Sequence, residues 1–70
     1  MERYKAMVSY IGTPNPGPRR KPLMFDKDDL IEVNLKEPEW WRGTTGDGQE
    51  GWFPQHLVQE AKQVGNQLGK

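Results

Sequence analysis

The sequence predicts an all-β fold, a small barrel built from five short strands. Three observations carry that prediction: apolar residues alternate over short stretches, Gly and Pro punctuate those stretches, and no helical periodicity persists for three turns. Seventy residues leave room for one compact domain and one hydrophobic core.

In Tyr4-Lys5-Ala6-Met7-Val8-Ser9-Tyr10 an extended chain places Tyr4, Ala6, Val8 and Tyr10 on one side, which predicts a first strand from Tyr4 to Tyr10. Pro14, Pro16, Pro18 and Pro22 follow among Gly12, Asn15 and Gly17, and they deny the backbone the donors and angles of regular structure. Residues 11–21 therefore form a loop. Leu23 and Phe25 alternate again, Asp26-Lys27-Asp28-Asp29 reads as a turn, and Leu30-Ile31-Glu32-Val33 has the β-branched content of a second strand. After Pro38, Trp40 to Thr45 is a third strand, Gly46-Asp47-Gly48 a tight turn, and Glu50 to Phe53 a fourth strand, so this pair is a hairpin. Pro54 stops that strand, and Leu57-Val58 supplies a last short pairing before a polar tail over 61–70 that is frayed or a linker. Ala6, Leu23, Phe25, Val33, Phe53 and Val58 are the predicted core.

Composition excludes several classes of function. Ten Lys+Arg balance ten Asp+Glu, so the chain lacks the overall positive field of a charge-driven nucleic-acid binder. Without Cys there is no disulfide, thiolate nucleophile or thiolate zinc site, and the redox compartment is only weakly constrained. Uncharged apolar runs stop at three residues (Ala6-Met7-Val8, Leu23-Met24-Phe25), too short for a membrane span or a signal-peptide core, so a soluble, cytoplasmic protein is expected. Catalytic residues, metal ligands and cofactors are not expected. Ser9 and His56 are the only Ser and His, without a spaced third group to orient a base. Asp26, Asp28 and Asp29 lack the ligand spacing of a calcium loop, and no helix follows Gly46-Asp47-Gly48 to cradle a phosphate.

Four stretches together resemble a Src homology 3 (SH3) domain: Ala6-Met7-Val8-Ser9-Tyr10, Asp29-Leu30-Ile31-Glu32-Val33, Glu39-Trp40-Trp41-Arg42-Gly43, and Gly51-Trp52-Phe53-Pro54-Gln55-His56-Leu57-Val58. In that family the first motif usually reads ALYDY, the third carries the paired Trp, and the fourth follows G-x-x-P-x-x-Y-V. The resemblance covers residues 3 to 60 and implies a five-stranded antiparallel SH3-like barrel, with 61–70 left as a tail or linker. It also implies a non-catalytic, monomeric protein-interaction module, part of an adaptor, scaffold or signalling protein. Its implied partner is a proline-rich segment of another protein or of the parent chain.

A polyproline II segment has no internal hydrogen bonds and presents its rings as ridges, so its receptor needs an aromatic-lined groove and a few donors. By resemblance, Tyr10, Trp40 and Pro54 line that groove, Trp52 sits at its edge, and His56 stands where the family often has an Asn that bonds a ligand carbonyl. Trp40 is the leading residue: its face packs on a proline while its indole N–H donates to a carbonyl. Strand alternation turns the neighbouring Trp41 the other way, toward core packing.

The chain departs from the family pattern at Val8 and Leu57, both of which replace Tyr residues that flank a proline pocket. Weak or atypical peptide binding is the expected result. The loop after the first strand is long, with fourteen residues (11 to 24) between Tyr10 and Phe25, and it has no Asp or Glu to grip a ligand cation. It carries Arg19-Arg20-Lys21 instead, so two charge preferences follow: a basic ligand residue near Glu37 and Glu39, or an acidic or phosphorylated one near Arg19 and Arg20. No prolines of the loop are spaced as Pro-x-x-Pro, which favours a stiff, extended loop over a built-in ligand. Two alternatives remain open. One is an electrostatic module that binds anionic lipid or RNA through Arg19, Arg20 and Lys21, and the other is a module that packs against another domain of its parent chain.

Overall fold

The computed structural model describes residues 2–61, so the expected polar tail falls, beyond Ala61, outside the described residues. The strands among them are β1 (Glu2–Ala6), β2 (Leu30–Lys36), β3 (Trp40–Thr45), β4 (Glu50–Pro54) and β5 (Val58–Glu60), with a 3-10 turn, Gln55–Leu57, before β5. They form one sheet in the order β4-β3-β2-β1-β5, and every strand pairing is antiparallel. The fold is all-β, as the alternation patterns predicted.

The first strand is the main correction. It ends at Ala6 because the backbone there is claimed from two sides: the Ala6 N–H donates to the Asp29 carbonyl at 2.9 Å and the Met7 N–H to the Leu57 carbonyl at 2.8 Å. The chain then bends, Val8 is left 46% exposed, and pairing resumes only at an isolated bridge between Tyr10 and Phe25. Strand β2 runs three residues further than Val33 and absorbs an irregularity between Val33 and Leu35. Its Ile31 and Val33 point inward and are buried.

The β3–β4 hairpin follows the sequence. The Thr45 N–H donates to the Gln49 carbonyl, the Gly48 N–H to the Thr45 carbonyl, and Gly48 takes a φ of 91° that suits glycine. Close approach explains Gly43, where a Cβ would stand 2.7 Å from the Glu32 carbonyl oxygen and 2.8 Å from Ile31 Cγ2. The turn before β2 is built by aspartates. The Asp26 N–H donates to Asp29 Oδ2 at 2.9 Å, and Asp28 takes a φ of 78°, a left-handed conformation that a short polar side chain tolerates.

All six predicted core residues are buried, and Tyr4, Tyr10 and Ile31 join them. Phe25 is the centre of the aromatic contacts, with ring centroids 5.8 Å from Tyr10 and 5.6 Å from Phe53, the latter edge-on. Trp41 packs against this core from outside: its ring and that of Tyr4 meet edge to face with centroids 4.9 Å apart, and Lys36 Nζ lies 4.6 Å from the Trp41 centroid. Lys36 donates to Glu2 and to the Tyr4 hydroxyl. The Lys36 bond holds the Glu2 carboxyl below the usual carboxylate range and, in return, raises the lysine.

The long loop returns across β4. The Trp52 N–H donates to the Lys21 carbonyl at 2.8 Å, and the Leu23 N–H donates to the Trp52 carbonyl at 2.9 Å. This short parallel bridge at Pro22 and Trp52 carries the basic residues of the loop to one end of the sheet.

Candidate functional site

Trp40 opens β3 and Pro54 closes β4, and the register places them directly opposite each other. On adjacent antiparallel strands such a pair projects from the same face, so the indole and the pyrrolidine ring form one apolar floor. The 3-10 turn that follows Pro54 brings up Gln55 and His56, and the Gln55 N–H donates to the Glu39 carbonyl at 3.0 Å, which ties the turn to the start of β3. Pro14, from the long loop, also lines this hollow. The result is a groove of about 480 Å³ lined by Pro14, Glu39, Trp40, Pro54, Gln55 and His56.

Trp40 also lines a second recess, of about 180 Å³, with Arg20, Glu37, Pro38 and Glu39. The indole thus stands between two hollows. A ring in that position offers a ridge over which an extended chain can lay successive side chains, one on each side. Elsewhere a depression of about 440 Å³ is lined by Met24, Asp28, Asp29, Leu30, Thr45, Gly46 and Asp47. It has carboxylates and aliphatic surface, but no aromatic face for a proline ring.

The predicted site residues divide into three groups. Trp40, Pro54 and His56 meet in the groove, and Glu39 borders both hollows. Tyr10 requires a correction: it does not present an open ring face but lies 2% exposed against Phe25, and its hydroxyl donates to the Pro14 carbonyl. Burial pushes the Tyr10 hydroxyl above the usual tyrosine range. Its contribution is to hold Pro14, a lining residue that sequence reasoning treated only as loop. Val8, Trp52 and Leu57 stay outside the groove lining. Val8 sits on the bend after β1, and Leu57 packs half-buried against the core.

Trp52 lies under Arg20, whose guanidinium carbon is 4.1 Å from the ring centroid. Arg20 Nη2 also donates to Glu37 Oε1 at 2.7 Å, across the mouth of the smaller recess. The two charged groups expected to recruit opposite ligands therefore meet each other. Among the described residues Arg19, Lys21 and Glu39 have no ion-pair partner.

A family model described as "Variant SH3 domain" matches residues 3–61, and the chain belongs to that family. SH3 domains are in general non-catalytic protein-interaction modules that bind proline-rich peptides. The high osmolarity signaling protein SHO1 of Debaryomyces hansenii is 36% identical over 56 residues, which is 80% of this chain and 18% of that protein. Jouberin of Rattus norvegicus is 44% identical over 41 residues, 57% of this chain and 4% of that protein. The chain thus spans less than a fifth of the length of these relatives. Among solved structures, the C-terminal SH3 domain of myosin IB from Entamoeba histolytica, bound to an EhFP10(GEF) peptide, aligns with a TM-score of 0.72. That match has 31% identity and covers 89% of this chain and 95% of that one.

Proposed function

We propose that this chain binds short proline-containing segments of protein partners in an extended conformation, as an interaction module of a cytoplasmic adaptor, scaffold or signalling protein. The observation that carries this reading is the position of Trp40, whose ring floors the larger groove beside Pro54 and walls the smaller recess. A proline ring packs on the indole face, and the indole N–H, Gln55 and His56 are the donors available to ligand carbonyls.

Binding is weak or atypical for the family. Val8 and Leu57 both lack the hydroxyl that a tyrosine would bring, and the Tyr10 hydroxyl is engaged by the Pro14 carbonyl. Each missing ligand hydrogen bond removes about 1 kcal/mol, so two lower affinity by more than tenfold, into the micromolar range or weaker.

Amide and indole NMR titration of the chain with a proline-rich peptide and a proline-free peptide of matched charge tests the reading. The Trp40 indole signal shifts with the first peptide only. Trp40→Ala weakens binding at least tenfold, as expected for a central aromatic anchor, while amide dispersion is retained. Equal shifts with both peptides, or no shift at Trp40, refute the groove.

A further inference from the structure

Arg20 is shared by two recesses. It lines the hollow beside Trp40 with Glu37, Pro38 and Glu39, and it lines a further hollow of about 260 Å³ with Pro16, Gly17, Pro18 and Arg19. A ligand that continues past Trp40 on this side meets Arg20 first and Arg19 next. The Arg20 N–H donates to the Gly17 carbonyl at 3.2 Å, its guanidinium lies on Trp52 at 4.1 Å, and Nη2 reaches Glu37 at 2.7 Å. Such a guanidinium is already oriented, so an incoming group orders little more of the side chain.

The Glu37 carboxylate is an internal sample of what that guanidinium accepts. The pair is open to water, with side-chain exposures of 33% for Arg20 and 42% for Glu37, so a second carboxylate has access to it. A guanidinium carries five N–H donors, of which this contact uses one. A ligand cation meets the opposite situation. Glu37 is occupied, so of the two carboxylates beside the groove Glu39 is the one with no ion-pair partner among the described residues, and Arg19, Arg20 and Lys21 repel a ligand cation.

We infer that the groove selects proline-containing peptides that carry Asp or Glu beside the prolines, with the ligand carboxylate bonding Arg20 alongside or in place of Glu37. This rests on the proposed peptide groove and assigns its charge specificity to Arg20. Glu37 acts as a placeholder that keeps the guanidinium seated on Trp52 until a ligand arrives.

The test uses the whole chain and three peptides that share one proline core and carry Glu, Gln or Lys on both flanks, so that binding direction does not matter. At low salt the Glu peptide binds about 1.5- to fivefold more tightly than the Gln peptide, the range of an exposed ion pair, and the Lys peptide binds most weakly. The Trp40 and Trp52 indole signals both move with the Glu peptide. Arg20→Gln erases the Glu advantage, and Glu37→Gln, which frees the guanidinium, increases it. Retained amide dispersion shows that each variant is folded.

A Lys peptide that binds most tightly, or a Glu advantage that survives Arg20→Gln, overturns the inference while leaving the groove intact. Absence of a Trp40 shift with every peptide overturns the groove itself and the inference with it. Signals of Arg20 that move on phosphatidylserine vesicles but not with the Glu peptide overturn it in favour of a lipid surface.

Discussion

Replacing Gly51 with Ala strikes the seam where the long loop crosses β4. A Cβ at this position would stand 2.6 Å from the Lys21 carbonyl oxygen, 2.8 Å from the Leu23 nitrogen and 2.9 Å from the Pro22 carbonyl carbon, all of them backbone atoms. Ordinary contact begins at 3.4 Å, so the loop segment must retreat by about 0.8 Å, the difference between 3.4 and 2.6. Such a retreat stretches the bond from the Trp52 N–H to the Lys21 carbonyl, now 2.8 Å, toward the limit of hydrogen bonding, and the bond from Leu23 to Trp52 with it. Two weakened backbone bonds cost about 1 kcal/mol each, and overpacking costs about 1–3 kcal/mol more. The smaller unfolded-state entropy of Ala returns roughly 0.5–1 kcal/mol. The net loss is about 2–4 kcal/mol, most of the roughly 3–5 kcal/mol that a core of this size supplies. Urea denaturation followed by tryptophan fluorescence measures it. Gly46→Ala is the control, because nothing lies within 4 Å of a Cβ there, and its stability stays within about 0.5 kcal/mol of the parent. If Gly51→Ala matches that control, the loop is not held against β4 by this crossing and the placement of Arg20 loses its support.

Tyr10→Phe removes the bond to the Pro14 carbonyl and costs about 1 kcal/mol, read as a lower urea midpoint at neutral pH. Because burial raises the Tyr10 hydroxyl in the folded state, its contribution is intact below the unfolded tyrosine value and is lost as pH rises through the folded one. The parent chain therefore loses more stability above about pH 10 than Tyr10→Phe does. At Asp28, with its φ of 78°, Ala is less stable than Gly by about 1 kcal/mol. Both substitutions delete the 3.5 Å contact with Lys5, so the difference between their thermal midpoints isolates the backbone.

Most of the fold was legible because it depends on local rules. Glycine turns, β-branched alternation and the position of Pro54 place β2, β3 and β4 within a few residues. Side-chain alternation failed at Val8 because it assumes that an extended chain stays straight. The bend there is set by Asp29 and Leu57, residues distant in sequence whose carbonyls receive the Ala6 and Met7 N–H groups. The same bend turns Tyr10 into the core, so an aromatic that fits a surface by motif became a buried pillar with its hydroxyl on Pro14.

The groove was legible to the extent that two adjacent strands built it. Trp40 and Pro54 become neighbours through hairpin register alone, and register follows from the Gly46-Asp47-Gly48 turn. The loop's part was hidden, because neither proline content nor charge order states where a loop lands. A sequence reading treats Arg19-Arg20-Lys21 and Glu37-Glu39 as independent attractions for opposite ligands. Once Lys21 and Leu23 pair with Trp52, Arg20 is laid on that indole, and Glu37, just past the end of β2, becomes its ion-pair partner. Backbone pairing thereby decides the sign of charge that the groove has left to offer. That dependence links the two tests: a substitution at Gly51 that loosens the crossing without unfolding the chain also weakens the preference for an acidic peptide, although Arg20 and Glu37 are untouched.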